Sequence, residues 1–150
     1  MKKIQYCFFI IALIIGCSDS NENERFFNET LERKVLYSKT DSVAINIKEL
    51  VRFDWDYFIV IPPYTTIDRL EDSIDVKLEK VKDTRIETND SFVVLAFIKE
   101  HTLIDCFTTK YHPIDFSVLK PFLPYKKEEA NFIFVKNGNK YFPYHLYSKP

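Results

Sequence analysis

Glycine is nearly absent from this chain. Only Gly16 and Gly138 occur in 150 residues, and Gly16 lies inside an N-terminal apolar leader. Phosphate-cradling loops, dinucleotide-binding turns and the nucleophile elbow need several glycines, where backbone approaches a ligand or takes positive φ. One glycine in the body of the chain cannot build them in their usual form. That argues against a nucleotide-dependent enzyme and against a standard α/β-hydrolase.

The remaining glycine gives the clearest local signal. In "NFIFVKNGNKYFPYH", Asn137-Gly138 separates two apolar-aromatic runs, and a type I′ hairpin turn favours Asn-Gly because both central residues need positive φ. Strands are predicted at 132–136 and 139–146, with Pro143 placing the second at a sheet edge. A second hairpin is predicted from strand 92–98 through Lys99-Glu100-His101 to strand 102–110, both arms rich in β-branched and aromatic residues. "DYFIVIPPY" reads as a short buried strand stopped by Pro62-Pro63. "SVAINIKEL" favours a strand, although Val43, Ile47 and Leu50 also fit a helix. "TTIDRLEDSID" reads as a helix capped by Thr65, with Ile67, Leu70 and Ile74 on one face. Asp68, Glu71, Asp72 and Asp75 are assigned to its first turn and wet face. A further helix is expected from Asn28 to Leu36. The fold class predicted is α+β: an antiparallel sheet of about five strands carrying one or two helices.

The leader has its own logic. Lys2 and Lys3 precede nine apolar residues, Cys7 to Ile15, far short of the about 20 needed to span a bilayer. A basic n-region before a short h-region is the pattern of a secretory signal. The stretch Ile14-Ile15-Gly16-Cys17 resembles the lipobox of bacterial lipoproteins. That resemblance implies cleavage between Gly16 and Cys17, a diacylglycerol thioether on the Cys17 sulfur and acylation of the new amino group. The division expected is therefore a signal peptide at 1–16, a lipidated Cys17 with a flexible acidic tether to residue 24, and one globular domain over 25–150. Ser18 differs from the Asp that retains lipoproteins at the inner membrane in well-studied Gram-negative bacteria. Asp19, Glu22 and Glu24 look like surface-export signals of some Gram-negative lineages. The expected address is the cell envelope, at the outer membrane.

Without residues 1–16 the chain keeps 134 residues, enough for one domain with a real core. It then carries 19 basic and 22 acidic residues. This mildly acidic balance argues against nucleic acid as a partner. Cys7 leaves with the leader and Cys17 takes lipid, so Cys106 has no partner for an intramolecular disulfide. Stability falls to the core, for which 21 aromatic residues remain outside the leader.

Two constellations invite chemistry. In "FDWDYFIVIPPY", Asp54 and Asp56 share parity in extended chain and project to one side, with Trp55 opposite. Two carboxylates at a strand entry could bind a cation or divide acid and base roles; solvated aspartates beside a core Trp are the preferred reading. The stretch also resembles small bacterial proteins of unknown function in which a Trp-Asp pair leads a strand ending in Pro-Tyr-Thr, here Trp55, Asp56, Pro63, Tyr64 and Thr65, with Pro62 interrupting the pattern. The resemblance assigns no activity, and Tyr64 joins Asp54 and Asp56 as a candidate binding residue. His101, Cys106 and His112 match no familiar zinc spacing, and Cys106 is expected to be a buried strand residue.

No metal site, cofactor or catalytic set is assigned. The expectation is a non-catalytic lipoprotein module, held to the lipid bilayer by acylated Cys17 and binding or inhibiting an envelope protein or glycan. The alternative is a small envelope hydrolase using the Asp54/Asp56 region.

Overall fold

A computed structural model describes residues 20–146 of the chain. Gly16 and Cys17 lie outside the described residues. The fold is α+β, with α1 (Ser20–Leu36), β1 (Ser42–Asn46), β2 (Tyr57–Ile61), α2 (Ile67–Ile74), α3 (Glu79–Asp83), β3 (Phe92–Lys99), β4 (Thr102–Lys110), β5 (Tyr125–Lys126), β6 (Asn131–Asn137) and β7 (Lys140–His145). Instead of one sheet of about five strands, seven strands form two antiparallel sheets, ordered β1-β6-β7 and β4-β3-β2-β5. No described helix is long and apolar enough to cross a membrane.

The larger sheet is buried on both faces, which is why β3 reads as a continuous apolar run, "FVVLAFIK", with all six interior residues buried. One face presents Phe58, Val60, Val93, Leu95, Phe97 and Phe107 to α1 and the smaller sheet. The other presents Ile59, Ile61, Val94, Ala96 and Ile98 to residues of α2, α3 and the segments beside them. Alternate residues of each strand therefore serve two separate cores, as the two-residue side-chain period requires.

The first helix corrects two expectations. It opens at Ser20 rather than Asn28, so residues 20–24 are helical and not a flexible tether. Phe27, Leu31 and Val35 recur every four residues and are at most 1% exposed; each such burial is worth about 1.5–3 kcal/mol. The helix also closes the edge of β4. Glu24 Oε1 accepts from the Thr108 amide at 2.8 Å and from the Thr108 hydroxyl, and Asn28 Nδ2 donates to the Thr108 carbonyl at 3.3 Å. Two helix side chains thus occupy the hydrogen-bonding groups that an open sheet edge would offer to another chain.

Turn chemistry differs in detail. Asn137 pairs with Lys140, so Gly138 and Asn139 are the central residues. Only Gly138 of these has positive φ, at 64°, the arrangement of a type II′ turn and not the I′ turn expected. Pro143 sits on edge strand β7, where no outer ladder bond is lost. "SVAINIKEL" is strand followed by a 3-10 turn, Ile47–Leu50. Thr65 does not cap α2: its hydroxyl donates to the Pro62 carbonyl, and Glu87 accepts from the Ile67 amide at 2.7 Å.

Glu71 also departs from the wet face assigned to it. It falls on the stripe Ile67, Leu70, Glu71, Ile74 and is 5% exposed. Its Oε1 accepts from the Leu78 amide at 2.6 Å, while Oε2 meets Lys77 at 3.3 Å and Lys82 at 3.2 Å. The Leu78 hydrogen bond, opposed by burial and aided by the lysines, holds its carboxyl below the ordinary 4.5. The unfolded chain then binds the proton more readily, so this stability is complete above the ordinary value and is lost as pH falls through the folded one. Glu71→Gln keeps an oxygen for Leu78 and removes the charge. Melting temperature against pH should flatten below about pH 4.5 in that variant relative to wild type. Parallel curves for the two proteins would show that the charge at Glu71 is immaterial.

Candidate functional site

The chain reaches the paired aspartates from the 3-10 turn and enters β2 through them. The expected parity is present: Trp55 is buried and Asp54 and Asp56 are exposed on the opposite side. Each carboxylate, however, is already engaged. Asp54 Oδ2 lies 2.6 Å from Lys99 Nζ, and Oδ1 lies 2.5 Å from Lys127 Nζ. Hydrogen bonds from Lys127 and Lys99, reinforced by their charge, hold the Asp54 carboxyl well below the usual carboxylate range. It remains ionised and is no proton donor near neutrality.

Asp56 clasps three segments. Its amide donates to the Ile98 carbonyl at 2.8 Å, and its own carbonyl accepts from the Lys127 amide at 2.7 Å. Its Oδ2 accepts from the Glu100 amide at 3.0 Å. That last bond secures the β3–β4 turn, where Glu100 and His101 take φ of 46° and 61° without glycine. Residues 54–57 and 126–129 wall a groove of about 430 Å³ here. A cation entering it would have to displace two ammonium groups from Asp54.

The other candidates lie elsewhere. Tyr64 follows the far end of β2 and is not brought to the aspartates; its amide donates to the Ile86 carbonyl. His101 precedes β4 and His112 follows it, at opposite ends of a nine-residue strand, which spans about 30 Å. They cannot share an ion. Among the described residues, no three His, Cys, Asp or Glu side chains are placed to hold a metal.

No protein-family model, curated protein or solved structure matches the chain. The geometry therefore carries the functional argument.

Cys106 is half-buried, not fully buried as expected, because it faces the outer core of the β4 edge strand opposite Ala96. Burial, with the charges of Asp105 and Glu24, pushes its thiol up to about 12. The thiolate is the reacting form, so maleimide labelling of the native domain at pH 7.5 should be slow, and unfolding in urea should make it fast. Rapid native labelling would restore a redox or nucleophilic role.

The sequence reading missed Asp105. It is 4% exposed and lies 3.4 Å from both Lys80 Nζ and Asn23 Nδ2, joining α1, α3 and β4. Its parity with Phe107 and Thr109 on the inner face of β4 was the available signal.

Proposed function

We propose that this chain is a lipid-anchored envelope protein whose folded domain is a non-catalytic binding module. The observation that supports the second half is the state of Asp54, the leading candidate for acid or base work. Both its oxygens are taken by lysines, and Asp56 is spent on backbone amides and a turn. A catalytic pair needs one group free to exchange a proton at working pH; this pair fastens β2 to β3 and to the segment after β5.

The first half rests on the leader and on Ile14-Ile15-Gly16-Cys17. Two or three acyl chains on Cys17 would hold the protein at a bilayer without a basic patch. The address proposed is the outer membrane. Glu22 and Glu24, assigned above to an acidic export signal, belong to α1. Glu24 is fastened to Thr108, and Glu22 lies 3.9 Å from Arg52.

Asp54→Asn combined with Asp56→Asn tests the binding-site alternative. Calcium should leave the melting temperature of wild type and double variant unchanged. A rise confined to wild type, growing with calcium concentration as ligand linkage requires, would make the pair a cation site. Labelling of cells with an alkyne-bearing palmitate analogue tests the address: the wild-type chain should carry the label.

A further inference from the structure

The pole that leads to the anchor and the pole most suited to a partner are opposite ends of the larger sheet. Helix α1 runs beside β4 in the same direction: Asn23 meets Asp105 near its start, and Leu31 and Glu32 share a groove with Pro113 and Ile114 beyond its end. Strand β2 is antiparallel to β3, and β3 to β4. Tyr57 therefore lies at the end where α1 begins, and Tyr64 and Thr65 at the other. Cys17 precedes Ser20 by three residues, a reach of at most about 11 Å. Five strand residues and the turn beyond them put the far pole on the order of 20 Å from the near one.

At that far pole an open groove of about 380 Å³ runs between α2 and the loop before β5. Thr66, Arg69, Leu70 and Ser73 form one wall at helical spacing, with Thr65 beside them and Phe122 across. Phe122 is 40% exposed. Its backbone is held at φ 60° with its amide donating to the Val60 carbonyl at 3.0 Å, so the ring is presented by a fixed loop. Arg69 is exposed and makes no ion pair with another described residue. Its neighbour Asp68 is taken by Lys82 at 3.0 Å.

An apolar floor, a half-exposed aromatic ring and one uncompensated guanidinium are complementary to an apolar side chain next to a carboxylate. Aromatic residues and Arg are the types that dominate binding at protein interfaces, and an open groove suits a peptide segment laid along it. We propose that the groove between α2 and Phe122 binds a segment of a partner protein that presents an acidic side chain beside a large apolar one. The proposal rests on reading the domain as a binding module and gives that module its surface, facing away from the bilayer.

The test uses the full-length chain in lipid nanodiscs and two fluorescent capped peptides. They share a Phe and a Leu and differ only in a Glu or a Lys between them. Anisotropy should show the Glu peptide binding about tenfold more tightly than the Lys peptide, the effect of one favourable charge contact. Arg69→Gln should bring the two within about twofold, and Phe122→Gly, which suits the positive φ, should weaken both about tenfold. Equal binding of the peptides, a preference that survives Arg69→Gln, or no binding up to about 1 mM would overturn the proposal. Failure of the anchor reading would show separately, as absence of the palmitate label on wild type.

Discussion

Trp55→Ala is expected to cost the domain about 3–5 kcal/mol, the range for removing a large aromatic from a packed core. Trp55 is 1% exposed, and its ring meets Phe97 edge-on at 5.4 Å and Phe58 at 6.0 Å. These rings continue to Phe27, Phe107, Tyr125 and Phe132, so the residue sits where the larger sheet, α1 and the smaller sheet share one core. Small domains hold only about 5–15 kcal/mol in total, and the substitution removes a large part of that. The indole N–H is buried with no hydrogen-bond partner among the described residues. Trp55→Phe removes that orphan donor, whose burial costs about 1–3 kcal/mol, and keeps most of the ring volume. It should therefore be clearly less damaging than Ala. Urea melts followed by circular dichroism decide this, since the chain has no second Trp to report fluorescence. A cost below about 1 kcal/mol for Trp55→Ala would show that the core closes around its loss.

The second large effect is at the address. Cys17→Ala should abolish lipid labelling and leave an unprocessed precursor, because thioether formation precedes cleavage in the lipoproteins this leader resembles. In the proposed reading the Cys17 sulfur carries the lipid, and Ala offers no substitute. A companion chain, residues 18–150 behind an ordinary cleavable signal, separates anchoring from processing. One myristoyl chain supplies only about 10⁴ M⁻¹ of membrane association, and a domain with no chain should fractionate with soluble envelope contents. Normal maturation of Cys17→Ala, or membrane retention of the companion, would overturn the anchor.

The legible parts of the fold were those written in adjacent residues. Strand β4 occupies 102–110 as predicted, because both strands are β-branched and aromatic, and β3 exceeds its predicted end by one residue, Lys99, so that only Glu100-His101 interrupts them. The burial alternation around Trp55 was readable for the same reason. Helix α3 was missed: five residues are too few for a helical period to show. The start of α1 was missed because Ser20 to Glu24 are all polar, and what fixes Glu24 is Thr108.

The sequence by itself determined the α+β class, the two hairpins and the outward placement of Asp54 and Asp56, since side-chain period and turn chemistry act over a few residues. Only the tertiary structure decided what those aspartates do. The lysines of Asp54 stand 45 and 73 positions away and the Glu100 amide on Asp56 stands 44 away, and no local pattern names a partner at that separation. The division into two sheets has the same origin. Ser42 pairs with Val135, and a strand's own residues say which face is apolar, not which strand lies beside it. Glu71 combines both levels. Its spacing from Ile67 and Ile74 lay in the sequence, but an acid there was assigned to the wet face, and it remains ionised on the apolar stripe because the chain turns to bring Leu78, Lys77 and Lys82 onto it.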